Sequence, residues 1–314
     1  MSEWVPQSVS EQARKFLAMP PVRQNMPALD DTPGWERMVE QTDQLLLQRF
    51  LGVELPVESE ETEIDGVHTY VLRTQGLPDD APVYLSLHGG ALILGGGEVC
   101  RLMGSITAMT SAMITWAVDY RMPPRHPFPA ALDDCVTAYR ALLKERDPRD
   151  IVVGGGSAGG NLAAALLLRA KEEGLPMPSA LVLITPEVDL TESGDSFHTN
   201  RDFDNIAASL MEVNQLYANG HDLAHPHLSP LFGDLAGFPP TFLQTGTRDL
   251  FLSNTVRMHR RLRAAGIQAE LHVFEAMPHG GFGGATPEDL ELHAELRRFL
   301  DAHRRPAADP GAAS

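Results

Sequence analysis

The chain has 314 residues, with 25 Lys plus Arg against 42 Asp plus Glu for a formal charge of −17, and 43% of its residues are apolar. That size and composition suit one large α/β domain with an inserted cap, or two ordinary domains, and exclude a disordered chain. The negative charge repels phosphate backbones and anionic lipid, so nucleic-acid and membrane partners are not expected and a small-molecule partner is.

Taken in chain order, Ser8 to Met19 and Gly34 to Phe50 read as helices, the second with Met38, Leu45, Leu46, Phe50 and Leu51 near helical spacing. Residues 1–52 are therefore expected to form a helical cap segment. From about Val53 the period shortens towards strands. Apolar runs then alternate with helical stretches: Val83 to Leu87, Ile114 to Val118, Ile151 to Val153, Leu181 to Ile184, Thr241 to Gln244 and Ala269 to Phe274 read as strands. Pro129 to Lys144, Gly160 to Glu173, Ser253 to Ala265 and Pro287 to His303 read as helices between them. This alternation predicts an α/β fold with a mostly parallel sheet covered on both faces. The rhythm breaks between Asp189 and Gly237, where one helical stretch, Ile206 to Tyr217, lies in mixed sequence suited to a cap. The expected division is core at 53–189 and 238–303, cap insertion at 190–237 and a fraying tail at 304–314.

Cys100 and Cys135 have no C-x-x-C or Cys/His spacing, so free thiols are expected, with no disulfide framework and no structural metal. Met1 to Ser10 lacks the basic start and apolar run of a secretory signal, and no segment reaches the ~20 apolar residues of a membrane span. A cytoplasmic location is the expectation.

The sharpest motif is Gly154-Gly155-Gly156-Ser157-Ala158-Gly159-Gly160, between an apolar strand and an Ala- and Leu-rich helix. Gly155, Ser157 and Gly159 fit G-x-S-x-G, in which a tight strand-to-helix turn exposes a nucleophilic serine. Gly154, Gly156 and Gly159 also fit the dinucleotide fingerprint, with Glu172 and Glu173 as ribose candidates. Against that reading, at least two strands precede the motif, and the two glutamates fall at a helix end.

Leu87-His88-Gly89-Gly90-Ala91 closes another strand. The backbone N–H groups of Gly89, Gly90 and Ala158 suit an oxyanion hole. Gly95-Gly96-Gly97 reads as an open pocket wall or a flexible loop. A serine nucleophile needs a histidine base and a carboxylate to orient it. His279, between the last strand and the last helix, falls on the same sheet edge as Ser157. Asp249 follows the preceding strand and gives the order serine, acid, histidine; Glu187 and Asp189 are the rival acids.

His221, Asp222, His225 and His227 read as cap-loop residues in preference to metal ligands. Asp119, Arg121, Asp133 and Asp134 read as a structural charge network, and Arg257, Arg260, Arg261 and Arg263 as a solvated basic face.

With His88-Gly89-Gly90, Val118-Asp119-Tyr120-Arg121, Pro127-Phe128-Pro129-Ala130-Ala131-Leu132-Asp133-Asp134, Ser157-Ala158-Gly159-Gly160, Asp249 and Pro278-His279-Gly280, the chain resembles bacterial esterases of the hormone-sensitive lipase family, within the α/β-hydrolase superfamily. The resemblance covers nearly the whole chain. It implies a triad of Ser157, Asp249 and His279, an oxyanion hole of Gly89, Gly90 and Ala158, a cap built from the N-terminal helices and the insertion, and no cofactor. Ala91 and Gly156 depart from the family's usual residues. The expected reaction is hydrolysis of short- to medium-chain carboxylic esters through an acyl-enzyme. Leu228-Ser229-Pro230-Leu231-Phe232 and Gly246-Thr247-Arg248 look similar to lactone hydrolases, including those acting on monoterpene ε-lactones. Lactone, amide and carbamate hydrolysis, and a catalytically silent small-molecule binding protein, stand as alternatives. A homodimer across the strand near Ala269 to Phe274 is possible by analogy.

Overall fold

The computed structural model describes residues 5–19, 26–48, 50–206 and 209–304. Eight strands form one sheet: β1 (Val57–Ile64), β2 (Val67–Thr74), β3 (Val83–Leu87), β4 (Ile114–Val118), β5 (Ile151–Gly156), β6 (Ala180–Ile184), β7 (Thr241–Gly246) and β8 (Ala269–Phe274). Their spatial order is β1-β2-β4-β3-β5-β6-β7-β8. From β4 to β8 every pairing is parallel, and β1 and β2 add an antiparallel hairpin at one edge. Asp65 and Gly66, both at positive φ, close that hairpin as a two-residue turn. The six parallel runs read from the sequence are all present, on the alternating architecture expected of the α/β-hydrolase fold.

Nine helices accompany the sheet among the described residues: α1 (Glu11–Leu17), α2 (Thr32–Gln48), α3 (Glu98–Ser111), α4 (Ala130–Glu145), α5 (Ala158–Glu172), α6 (Ser196–Thr199), α7 (Met211–Ala218), α8 (Leu252–Ala264) and α9 (Pro287–His303). Strand residues alternate between two faces. Leu85, Leu87, Val153, Leu181, Leu183 and Leu243 pack with α4, α5 and α8, while Tyr84, Val152, Val182 and Phe242 pack under α9. α3 covers Leu72 and Ala117 on the α9 side.

Three elements differ from the sequence expectation. β5 continues to Gly156 because its glycines are strand residues in a crowded place, flanked by β3 and β6. α3, whose buried face includes five small residues, Cys100, Gly104, Ser105, Ala108 and Ser111, follows Gly95-Gly96-Gly97 directly; that run of glycines is a helix lead-in. The helix expected at Ile206 to Tyr217 begins only at Met211, after the short α6. Residues 1–4, 20–25 and 49 of the N-terminal segment, 207–208 of the insertion and 305–314 of the tail lie outside the described residues.

The two segments expected to form a cap share one apolar cluster. Trp35 of α2 packs with Phe197, Leu210 and Val213 of the insertion and with Ile93, Leu250 and Phe251. α1 packs Ala13 and Leu17 against Ala276, Met277 and Phe282, beside His279.

Candidate active site

Ser157, Asp249 and His279 all follow the carboxyl ends of parallel strands, β5, β7 and β8 respectively, so the topology delivers them to one edge. Ser157 has φ 55 and ψ −121, a left-handed backbone that a residue with a side chain adopts only under constraint. The constraint is visible. Its N–H donates to the Ile184 carbonyl at 2.9 Å, and its own carbonyl accepts from Gly160 at 3.0 Å and from Glu187 and Asn161 at 3.2 Å. Gly159 permits this turn because a Cβ there would lie 1.9 Å from the Leu87 carbonyl oxygen. The geometry is that of a strained strand-to-helix turn, as expected for a nucleophile at Ser157. No dinucleotide fingerprint is needed to explain the glycines, and Glu172 and Glu173 are tied into ion pairs with His227, Arg140 and Arg169.

Asp249 is fully buried. Its Oδ1 accepts from the Phe251 N–H at 2.9 Å and lies 3.1 Å from His279 Nδ1, while Thr245 donates to Oδ2 at 2.6 Å. Those bonds engage both carboxyl oxygens and orient the imidazole through Nδ1, so that Nε2 is the nitrogen left for chemistry. The Phe251 ring stands edge-on to His279 at 4.8 Å. Burial disfavours the imidazolium, but the Asp249 hydrogen bond and the charges of Asp249 and Asp204 outweigh it, and the His279 pKa is raised above the ordinary value.

Of the rival acids, Asp189 is committed elsewhere. It accepts from Thr191, Ser193 and Arg257, bonds that overcome its burial and keep its pKa low. Glu187 is fully buried, and its carboxyl oxygens have no well-aligned hydrogen-bond donor although Asn214 lies beside them. Burial pushes its pKa up to about 8, so it is neutral at pH 7. A neutral carboxyl cannot steady a histidine cation.

Of the three expected oxyanion donors, Gly89 and Ala158 lie beside Ser157. A Cβ placed on Gly89 would lie 3.5 Å from Ser157 Cβ, so the glycine backbone runs directly alongside the serine. Ala158 is the first residue of α5, so its N–H has no acceptor within the helix. Ala91, where the family usually has glycine, takes φ 52, a conformation glycine adopts more easily.

Asp204, in the insertion, is the residue that sequence reasoning missed. Its Oδ1 accepts the His279 N–H at 3.0 Å, and its Oδ2 accepts the Leu250 N–H. Asn200 donates to the carbonyls of Asp249 at 2.8 Å and Thr247 at 3.2 Å, and the Ser196 hydroxyl donates to the Leu250 carbonyl at 2.6 Å. The insertion thus fastens the acid and histidine loops. Nothing local distinguishes Asp204 from its neighbours Asp195 and Asp202; only the spatial return of the chain to the His279 loop does.

Other expectations are corrected in part. Arg121 forks onto Asp134, but Asp119 stands apart from that pair, accepting from the Gly97 N–H and lying 3.1 Å from His68 Nδ1. On α8, Arg257 pairs with buried Asp189 and Arg261 donates to the Gly233 carbonyl, so this side of the helix is bonded to the insertion and is not simply a solvated face. His221, Asp222, His225 and His227 are not brought to a common ligand point; His227 pairs with Glu172.

The fold and this edge define an α/β hydrolase, and a family profile described as "alpha/beta hydrolase fold" matches residues 84–282. The chain is 33% identical over 219 residues to an esterase of Acinetobacter venetianus, covering 68% of this chain and 72% of that one. It is 31% identical over 269 residues to carboxylesterase NlhH of Mycobacterium tuberculosis, covering 79% and 84%. Among solved structures, esterase E25 superposes with a TM-score of 0.88 at 37% identity over 96% of both chains, and an esterase from the bacterial hormone-sensitive lipase family with 0.77 at 32% identity over 93% and 95%. The chain belongs to the hormone-sensitive lipase family of bacterial esterases. No helix among the described residues is long and apolar enough to cross a membrane.

Proposed function

We propose that the protein is a serine carboxylesterase acting on short- to medium-chain acyl esters through an acyl-enzyme. The observation that carries this reading is the buried Asp249–His279 pair on the sheet edge that also presents the strained Ser157. His279 takes the Ser157 hydroxyl proton as Oγ attacks the ester carbonyl, and Asp249 steadies the imidazolium. The N–H groups of Gly89, Gly90 and Ala158 receive the oxyanion. The imidazolium then protonates the departing alcohol, and a water repeats the cycle to release the acid. The cluster of Trp35, Phe197, Leu210 and Val213 is the cap over this edge, and a short apolar acyl chain is its natural occupant. The partner is a small ester, and the enzyme works in the cytoplasm.

The test is hydrolysis of p-nitrophenyl esters from acetate to palmitate beside a panel of small lactones, for the wild type and Ser157→Ala. Ester turnover should peak at short chains and fall about 10⁴-fold or more in the variant, with its thermal unfolding unchanged. Near-native turnover by the variant would reject the serine mechanism. A wide preference for lactones would move the assignment to a lactonase, and a folded wild type inert on both panels would favour a binding role.

A further inference from the structure

Beyond Ser157, Asp249 and His279 the fold brings a second set of reactive side chains together. His88, Cys100 and Asp119 come from three separate elements, the end of β3, α3 and the end of β4. Each offers one ligand atom, and no two of these atoms lie farther apart than 4.8 Å. His88 is 4% exposed and Cys100 is fully buried. The His88 ring is held from one side: its Nδ1 lies 2.9 Å from the Gly89 carbonyl and 3.2 Å from the Tyr120 hydroxyl, and the Tyr120 ring stacks on it at 4.0 Å. Donation from Nδ1 to the carbonyl leaves Nε2 as a lone pair, and that atom is buried with no hydrogen-bond partner. The histidine that converges with a thiol and a carboxylate thus keeps a buried ring nitrogen without a donor, a position open to an electropositive neighbour.

We propose that His88, Cys100 and Asp119 bind a divalent cation of the zinc class, and that its binding slows catalysis by displacing the adjoining oxyanion loop. The donor set of one imidazole nitrogen, one sulfur and one carboxylate oxygen suits a borderline-soft ion and disfavours magnesium or calcium, which take oxygen ligands. The charges balance. Burial keeps His88 neutral, the ligating form, and keeps Cys100 a protonated thiol in the free protein. On binding, a metal–sulfur bond replaces the S–H bond and one proton leaves to solvent, so the ion's two positive charges meet the thiolate and the Asp119 carboxylate. Asp43 of α2, which accepts the Gly95 N–H at 3.0 Å, adds a further carboxyl beside Asp119.

The link to the oxyanion loop is geometric. Donors around a tetrahedral zinc sit roughly 3.3–3.6 Å apart, given bonds of about 2.0–2.3 Å. A set spread over as much as 4.8 Å must therefore close by up to about 1.2–1.5 Å. His88 would move with it, and Gly89 is attached to His88 both in the chain and through Nδ1. Gly95 packs on the same pair, since a Cβ there would lie 2.9 Å from His88 Nδ1 and 2.8 Å from the Gly89 carbonyl oxygen. A displacement of that size at a reacting centre costs up to about 100-fold in rate.

The probe is Co²⁺, titrated into chelator-stripped full-length protein while absorbance and proton release are recorded. Wild type and Cys135→Ala should each give a thiolate-to-cobalt charge-transfer band and release one proton per ion. They should also lose at least about tenfold in p-nitrophenyl ester turnover, recovered by chelator. Cys100→Ala should show neither band nor proton, and its turnover should ignore the ion; Asp119→Asn should bind at least about tenfold more weakly. No thiolate band in the wild type, or a band that survives Cys100→Ala, would overturn the site whatever the protein hydrolyses. Binding with turnover unaffected would overturn the coupling. If Cys100→Ala does not fold, the wild-type band and proton count together with Asp119→Asn decide the matter.

Discussion

The loop that carries Ser157 and the loops that carry Asp249 and His279 share one edge of the sheet, but they are fixed by different kinds of interaction. Backbone alone holds the serine: strand β5 enters, helix α5 leaves, and main-chain bonds to Ile184, Glu187 and Gly160 clamp the turn. The acid and the histidine depend on side chains from elsewhere, chiefly Ser196, Asn200 and Asp204 of the insertion. A turn held by packed backbone tolerates almost no change in shape, whereas a loop held by side-chain bonds fails gradually as those bonds are removed. The expected nucleophile is thus a property of the sheet, and the expected base and its carboxylate are properties of the contact between sheet and insertion.

This contrast can be broken at either end. The largest effect is expected for Gly159→Ala, whose Cβ would meet the Leu87 carbonyl oxygen at 1.9 Å; destabilisation beyond about 4 kcal/mol, read by thermal unfolding, is the expectation. A soluble variant with native melting would show that the turn can yield. Glu187, whose N–H clamps the Ser157 carbonyl, is the titratable side chain next to the serine turn. Between the ordinary carboxyl pKa of 4.5 and about 8 the unfolded chain has lost this proton while the folded chain keeps it, so stability falls as pH rises through that window and levels off above it. Glu187→Gln should therefore stabilise the protein at pH 8 by on the order of a few kcal/mol, with the gain fading towards pH 4.5 in denaturant titrations. A gain equal at both pH values would mean that packing, not ionisation, is responsible.

On the side-chain-held loops the effects are smaller. Asp204→Asn should lower kcat by roughly 10- to 100-fold with little change in KM, because the His279 loop loses a charged anchor. The same substitution removes a charge that helps raise the His279 pKa, so the acidic limb of the kcat/KM profile should move to lower pH. An unmoved limb would reduce Asp204 to a purely structural role. In the wild type that limb should rise through a value above the ordinary 6.5, since only neutral His279 can accept the serine proton. The least is expected of Asn200→Ala, which removes two bonds to the acid-loop backbone: about 1 kcal/mol of stability and a few-fold in kcat.

Legibility in the sequence divides along the same line. The serine turn was readable because a strand, a glycine cluster and a helix follow one another within about twenty residues, so the local sequence carries the whole feature. The parallel strands were readable for a related reason: strands buried on both faces are short continuous apolar runs. β1 was not resolved individually, since an exposed edge strand carrying Glu58, Glu60, Glu61 and Glu63 has no apolar signature. α3 was missed because its buried face is built partly from small residues, and the late start of α7 escaped because Ser209 and Leu210 just before it donate to the Glu192 carboxylate, 17 and 18 residues back in the chain. Asp204 was invisible for the same physical reason: its partners at Leu250 and His279 are 46 and 75 residues away.

Asp289 adds a dimension of time. Besides capping α9 together with Thr286, it accepts the N–H groups of Phe282 and Gly284, so the glycine-rich strip just after His279 is gathered by a carboxylate in the last helix. During synthesis the serine turn needs only β3, β5, β6 and α5, all emerged well before the histidine is made. The base acquires its downstream anchor only when α9 leaves the ribosome and docks. The residues that fix the Ser157 turn therefore all precede in the chain those that anchor its expected base.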